Sequence, residues 1–167
     1  MCDASETVMR QIEFDNSAFN IEYFYDPQRE EIKLLEINPR ISQSHSEIFE
    51  KVDGASNQEI MIELALGNEP RFPHGEGKYN CAAKFHVRRF RDGRVSRIPT
   101  AADIERVQRR FPDTDIEVRV REGMQLSELI EQDSYSYDIC HIHMGARDQP
   151  ELLTNYNECL NMLHFEI

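Results

Sequence analysis

The chain has 167 residues, a formal charge of -12 and 40% hydrophobic side chains. That content closes a core in one or two compact units, and the acidic balance excludes a nucleic-acid footprint, which needs a basic face to displace counterions from phosphates. Four cysteines without a Cys-x-x-Cys pair, no apolar run of membrane-spanning length and no leader-like segment suit reduced thiols in a cytoplasmic protein. From the N-terminus, Asp3 or Ser5 caps a first helix with Val8, Met9 and Ile12 on its apolar side. A strand-like run, Phe19 to Tyr23, is followed by a charged turn from Asp26 to Glu31 and a second run ending in Glu36-Ile37-Asn38-Pro39-Arg40. Arg40 through Gly54 reads as a loop, and Ser56 to Glu59 is a capping box for a helix over Ile60, Met61, Leu64 and Ala65 that Gly67 stops before Pro70. The segment from Asn68 to Tyr79, with Pro70, Pro73, Gly75 and Gly77, reads as a linker. Beyond it come a strand from Cys81 to Phe90, an Asp92-Gly93 hairpin turn and a return strand from Arg94 to Ile98. Thr100 caps a helix to about Phe111, Ile116, Val118 and Val120 alternate as a strand, Tyr137 to Met144 forms another, and Asp148 caps a last helix.

The two runs before Arg40 carry the chemistry. Strand side chains alternate faces, so Glu36 and Asn38 share one side. A loop centred on Arg29 pairs Glu22 with Glu36 across an antiparallel ladder, which sets two carboxylates side by side. If buried, facing like charges drive one to protonate unless they share a cation, and a hard divalent ion such as magnesium takes one or two carboxylates with substrate phosphates completing its shell. Glu22, Glu36 and Asn38 are therefore candidate metal ligands. Pro39 ends the ladder and delivers Arg40 beside them, where a guanidinium can neutralise a phosphate or hold a carboxylate.

These residues resemble the C-terminal half of the ATP-grasp ligases, in the branch with biotin carboxylase and carbamoyl-phosphate synthase. The resemblance implies ATP and Mg2+ (with Mn2+ as the alternative ion), held by Glu22, Glu36 and Asn38, a catalytic Arg40, and apolar contacts to adenine from Phe24 and Leu35. His45 matches the end of the family's Arg-x-x-x-x-His, and Ser42, Ser44 and His45 would line the acceptor pocket. Ser42-Gln43-Ser44 replaces the Gln-Val-Glu of biotin carboxylases, which turns the expected acceptor from bicarbonate toward an amine. The implied fold class is α+β: the C-terminal part of an ATP-grasp domain over residues 1–70, an antiparallel sheet with helices, then a small mixed α/β domain over 78–167 like the C-terminal domain of biotin carboxylase. Gly123, Asp133-Ser134 and the helix after Asp148 carry that second likeness. The family's glycine-rich lid and nucleotide lysines have no counterpart here, so the expectation is a fragment whose N-terminal nucleotide-fold and lid domains lie elsewhere.

The implied reaction joins a carboxylate to an amine or similar nucleophile through an acyl phosphate. The alternatives are biotin carboxylase-like carboxylation and a non-catalytic module that binds a metal ion or a partner, and a second copy of the chain is an admissible partner. Arg119 and Arg121 read as the solvated side of their strand, and His141 and His143 as polar residues opposite Cys140, Ile142 and Met144, because two histidines alone do not complete a zinc site.

Overall fold

In a computed structural model that describes residues 1–130 and 132–167, the chain is α+β with two antiparallel sheets. Helix α1 (Cys2–Gln11) has Met1 at its N-cap, so neither Asp3 nor Ser5 caps it as expected. Asp3 lies in the first turn, where its charge complements the helix dipole, and the Ser5 hydroxyl is 2.8 Å from that of Tyr23.

Strands β1 (Asn20–Asp26) and β2 (Glu31–Asn38) form the expected hairpin. Asp26 Oδ1 accepts the backbone N–H groups of Gln28 and Arg29, which fixes the turn. Near the base, Asn20 faces Asn38, Ile21 faces Ile37 and Glu22 faces Glu36. The register then shifts: Tyr23 faces Leu34, and Leu35 is the extra residue of a bulge that bends the ladder beside the glutamate pair.

The segment expected as a loop after Arg40 contains a 3-10 turn (Gln43–His45) and helix α2 (Ser46–Asp53). No side chain caps the start of α2, which removes the usual signal. Its stop is Gly54, in the left-handed region at φ 87°, whose N–H bonds the carbonyls of Phe49 and Glu50. Helix α3 (Asn57–Ala65) follows, with the Ser56 hydroxyl accepting from the Glu59 N–H.

Strand β3 (Cys81–Arg89) does not turn back at Asp92-Gly93. Asp92 Oδ1 instead accepts the N–H groups of Gly93 and Ser127, tying this corner to a turn far along the chain. Arg94 and Arg97 make only isolated bridges, to Gln125 and Glu166. The partner of β3 is β5 (Tyr137–Ala146), which also pairs with β4 (Asp115–Val118), giving the order β3-β5-β4. Strand β5 wins the central place because its two faces can both be buried: Cys140, Ile142 and Met144 on one side, His141 and His143 on the other.

Helices α4 (Ala101–Arg110) and α5 (Gln149–Met162) cover the apolar face. Val87, Val107, Leu126, Ile142, Leu152 and Cys159 fill the core there, with Phe85 stacked on Tyr156 at 3.9 Å. The opposite, polar face receives α2, whose Lys51 ammonium donates to Asp115 at 3.0 Å. Close approach fixes that docking. The N–H groups of Gly77 and Tyr79 bond the carbonyls of Val52 and Lys51 at the end of α2. Among the described residues no helix is long and apolar enough to cross a membrane.

Helix α4 offers a test of the local energetics. Thr100 and Asp103 close a full capping box, and the hydrogen bonds from the Thr100 N–H and hydroxyl hold the Asp103 carboxyl below its usual range. A depressed folded value stabilises the protein above the unfolded carboxylate range and loses that contribution as pH falls through the folded value. Asp103→Asn is therefore expected to be less stable than wild type in urea at pH 7, and the gap should narrow below about pH 4. A gap that stays constant from pH 7 to pH 3 would remove the carboxylate from the cap.

Candidate functional site

A polar cavity of about 810 Å³ lies between the base of the hairpin and the polar face of the three-stranded sheet. The hairpin side contributes Asn20, Glu22, Asn38 and Arg40, and the following turn Ser42, Ser44 and His45. Geometry places these last residues for local reasons. The Arg40 N–H bonds the Asn38 carbonyl at 2.8 Å, so the chain folds sharply at Pro39, and the guanidinium returns to Asn38 Oδ1 at 3.3 Å. Asn57, at the start of α3, donates to the Ser42 carbonyl at 2.9 Å and accepts from the Ser46 hydroxyl, pinning the turn from behind. The Ser42 and Ser44 hydroxyls are 3.1 Å apart.

Glu22 and Glu36 are direct cross-strand partners, brought opposite each other by the one-residue shift at Leu35. They are exposed rather than buried, because nothing covers that face of the two-stranded sheet, so water screens their repulsion. Neither has an ion-pair partner among the described residues. Two such carboxylates with the Asn38 amide oxygen on the same face form a hard oxygen set that fits magnesium. The cavity includes Glu22 and Asn38; Glu36 lies outside its lining, as do Phe24 and Leu35, which are 62% and 51% exposed.

The far wall was not anticipated. Lys84, Glu117, Arg119, His141 and His143 line it, and the pairing of Lys84 with His143 and of Glu117 with His141 brings them onto one face. His143 Nδ1 meets Glu47 of α2 at 2.7 Å; burial lowers its basicity and the Glu47 charge opposes this in part. His141 lies between two carboxylates, with Nδ1 2.9 Å from Glu117 and Nε2 2.8 Å from Asp138. Burial raises the affinity of Glu117 for a proton, but the His141 hydrogen bond and charge outweigh it and hold the carboxyl low. The two histidines, expected as polar residues opposite Cys140, Ile142 and Met144, lie on that face, buried and partnered, and Arg119 lines the cavity rather than open solvent. The readable signal was the spacing of His141 and His143 against Cys140 and Ile142; the partners come from distant strands.

Residues 1–71, which contain the hairpin, Arg40 and the turn after it, match the family model for the carbamoyl-phosphate synthase L chain, ATP binding domain. Over these residues the chain is similar to the ATP-binding domains of the ATP-grasp superfamily. Its carbamoyl phosphate synthase large-chain relatives from two strains of Xylella fastidiosa are each 37% identical over 65 residues, 39% of this chain. The chain spans 6% of the length of those relatives. Among solved structures, biotin carboxylase from Campylobacter jejuni, in complex with a β-γ-ATP, shares the fold over 98% of this chain and 35% of its own, with TM-score 0.66 at 13% identity. Urea carboxylase from Kluyveromyces lactis shares it over 97% of this chain and 14% of its own, with TM-score 0.63 at 19% identity. N5-carboxyaminoimidazole ribonucleotide synthetase from Thermotoga maritima gives 0.62 at 16% identity, over 98% of this chain and 40% of its own. The sequence likeness is thus concentrated on the hairpin half, and a likeness of fold alone extends over nearly the whole chain.

Proposed function

We propose that this chain contributes to an ATP-dependent ligase that activates a carboxylate and joins it to an amine or similar nucleophile. The observation carrying the reading is the facing pair Glu22 and Glu36, with Asn38 on the same face and Arg40 folded back beside it at the mouth of a polar cavity. Residues 1–70 then form the C-terminal part of the ATP-grasp domain, and residues 78–167 a small α/β domain of the biotin carboxylase type. The separate hydrogen bonding of the two sheets and an apolar core drawn from residues 81 to 165 support that division. The N-terminal nucleotide-fold and lid domains lie in segments beyond these 167 residues, a reading supported by the small share of each relative that the chain spans.

Glu22, Glu36 and Asn38 would hold magnesium, or manganese in its place, which when bound supplies a Lewis acid to the phosphoryl oxygens. Arg40 binds the charge that develops on the transferred group. Phe24 and Leu35, apolar yet open to water, suit contact with an adenine face. The substrate carboxylate takes the γ-phosphoryl group of ATP and ADP leaves; the amine then attacks the acyl carbon and phosphate leaves. Ser42, Ser44 and His45 line the acceptor side, while Lys84 gives the far wall positive charge to receive a carboxylate. A second copy of the chain is an admissible partner, and the cytoplasm is the compartment that the free thiols suit.

Hydroxylamine trapping in the protein carrying this chain tests the reading. With ATP, Mg2+ and a carboxylate panel that includes bicarbonate, ADP and a hydroxamate should appear together. ADP dependent on bicarbonate alone would move the reading to carboxylation. AMP with pyrophosphate, or no nucleotide cleavage with any carboxylate, would overturn it.

A further inference from the structure

A second constellation sits on β3 and β5, apart from the hairpin carboxylates. His86 and His141 are cross-strand partners, with ring centroids 4.6 Å apart. Alternation alone would turn Asp138 to the opposite face of β5 from His141. The register shift between Val87 and Arg88 makes Ile139 the extra residue and sets Asp138 opposite Arg88, on the histidine face. Asp138 Oδ2 is then 2.5 Å from His86 Nδ1 and 2.8 Å from His141 Nε2, and its other oxygen, Oδ1, is buried without a hydrogen-bond partner.

The hydrogen-bond accounting of this cluster calls for a cation. Both nitrogens of His141 face carboxylates, and Asp138 keeps one oxygen without any donor, so the acceptors around this ring outnumber the donors. A metal ion at Nε2 removes that excess: Nδ1–H still donates to Glu117, and Asp138 offers an anionic oxygen, including the one now unpaired. A ligating histidine whose second nitrogen is held by a carboxylate is the arrangement that orients metal-bound imidazoles. The ligand atoms of His86, Asp138 and His141 all lie within 4.8 Å of one another. Tetrahedral ligands about 2.0–2.2 Å from one ion are ~3.4 Å apart, so the two short contacts need to open by less than about 1 Å.

We propose that His86, Asp138 and His141 bind a divalent transition-metal ion, zinc by the character of the donors, with Glu117 holding His141 from behind. None of the three ligands is a hairpin residue, although His141 and Glu117 also line the larger polar cavity. Three protein ligands leave one position open, as in sites that bind an exchangeable ligand. That position faces a cavity of about 330 Å³ whose lining includes Arg88 and Arg119. Arg88 is paired with Asp133 and Ser136, and Arg119 donates to Glu117 at 3.0 Å, so these cations are turned to their own carboxylates. Water or a small anion fits the open position.

Tag-free, chelator-treated chain titrated with Zn2+ by calorimetry, and with Co2+ by its visible d–d bands, tests the proposal. With excess Mg2+ present to occupy the hairpin carboxylates, one equivalent per chain should bind. His86→Ala should weaken binding by more than about a hundredfold, and Glu117→Gln by about ten- to a hundredfold. His86 is exposed, so its variant should keep the wild-type circular dichroism even if His141→Ala does not fold. Glu36→Gln should bind zinc as wild type does. Absence of a saturable site, a site unchanged in both His86→Ala and Asp138→Asn, or one lost in Glu36→Gln would each overturn the assignment.

Discussion

Replacing Glu36 by Gln is expected to lower ATP turnover in the protein carrying this chain by roughly a hundredfold or more, the scale of transition-state stabilisation that a Lewis acid gives at a phosphoryl oxygen. The substitution keeps the shape of the side chain and removes one of two facing carboxylates. The fold should be nearly indifferent, because both glutamates are exposed and their repulsion is already screened. Raising Mg2+ should restore part of the rate, since the lost ligand weakens ion affinity before it alters anything else. The measurement is a magnesium titration of turnover beside a urea melt. Unchanged turnover at limiting Mg2+, with wild-type stability, would take Glu36 out of the site and leave Glu22 and Asn38 as ordinary polar residues of a hairpin.

The second large effect is expected at Gly77. A Cβ there would stand 2.5 Å from the Val52 carbonyl carbon and 2.6 Å from its oxygen, both backbone atoms of α2 that cannot swing aside. Gly77→Ala should cost roughly 3 kcal/mol, the upper end of what overpacking costs, read as a shift of the urea midpoint at constant slope. It should also loosen the cavity, since α2 carries Glu47 against His143. Gly67→Ala is the matched control. Gly67 has φ 78° but open space around it, so only left-handed strain of about 1 kcal/mol applies. Equal losses in the two variants would mean that the approach of residues 77–79 to α2 does not bear on stability.

The hairpin was legible because its information is local. Alternation sets the faces, but the turn pairs Asp26 with Glu31 rather than centring on Arg29, and Glu22 meets Glu36 because the ladder shifts by one residue at Leu35. The bulge at Leu35 was not legible, since an apolar residue beside a glutamate gives no sign that the strand holds one residue too many. Helix α2 escaped for a related reason: its start is polar and uncapped, and only Gly54 marks it. The Asp92-Gly93 turn misled in the opposite direction, because its aspartate is occupied with Ser127 and the real partner of β3 comes after β4. For the cavity, Glu22, Asn38, Arg40, Ser42, Ser44 and His45 could be placed together from one contiguous segment, while Phe24, Leu35 and Glu36 fall outside its lining. His86, Lys84 and Glu117 could not, because strand pairing alone brings them to His141 and His143.

That pairing makes β5 answerable to two masters. Its even-numbered residues from Cys140 to Ala146 hold the interior together, and the odd-numbered His141 and His143 line the polar chamber. A slip of a single position would thrust thiol and thioether into the polar chamber and drive imidazoles among the leucines. The interior and the polar chamber in this half of the chain therefore fail together, and any redesign of the chamber must proceed in steps of two.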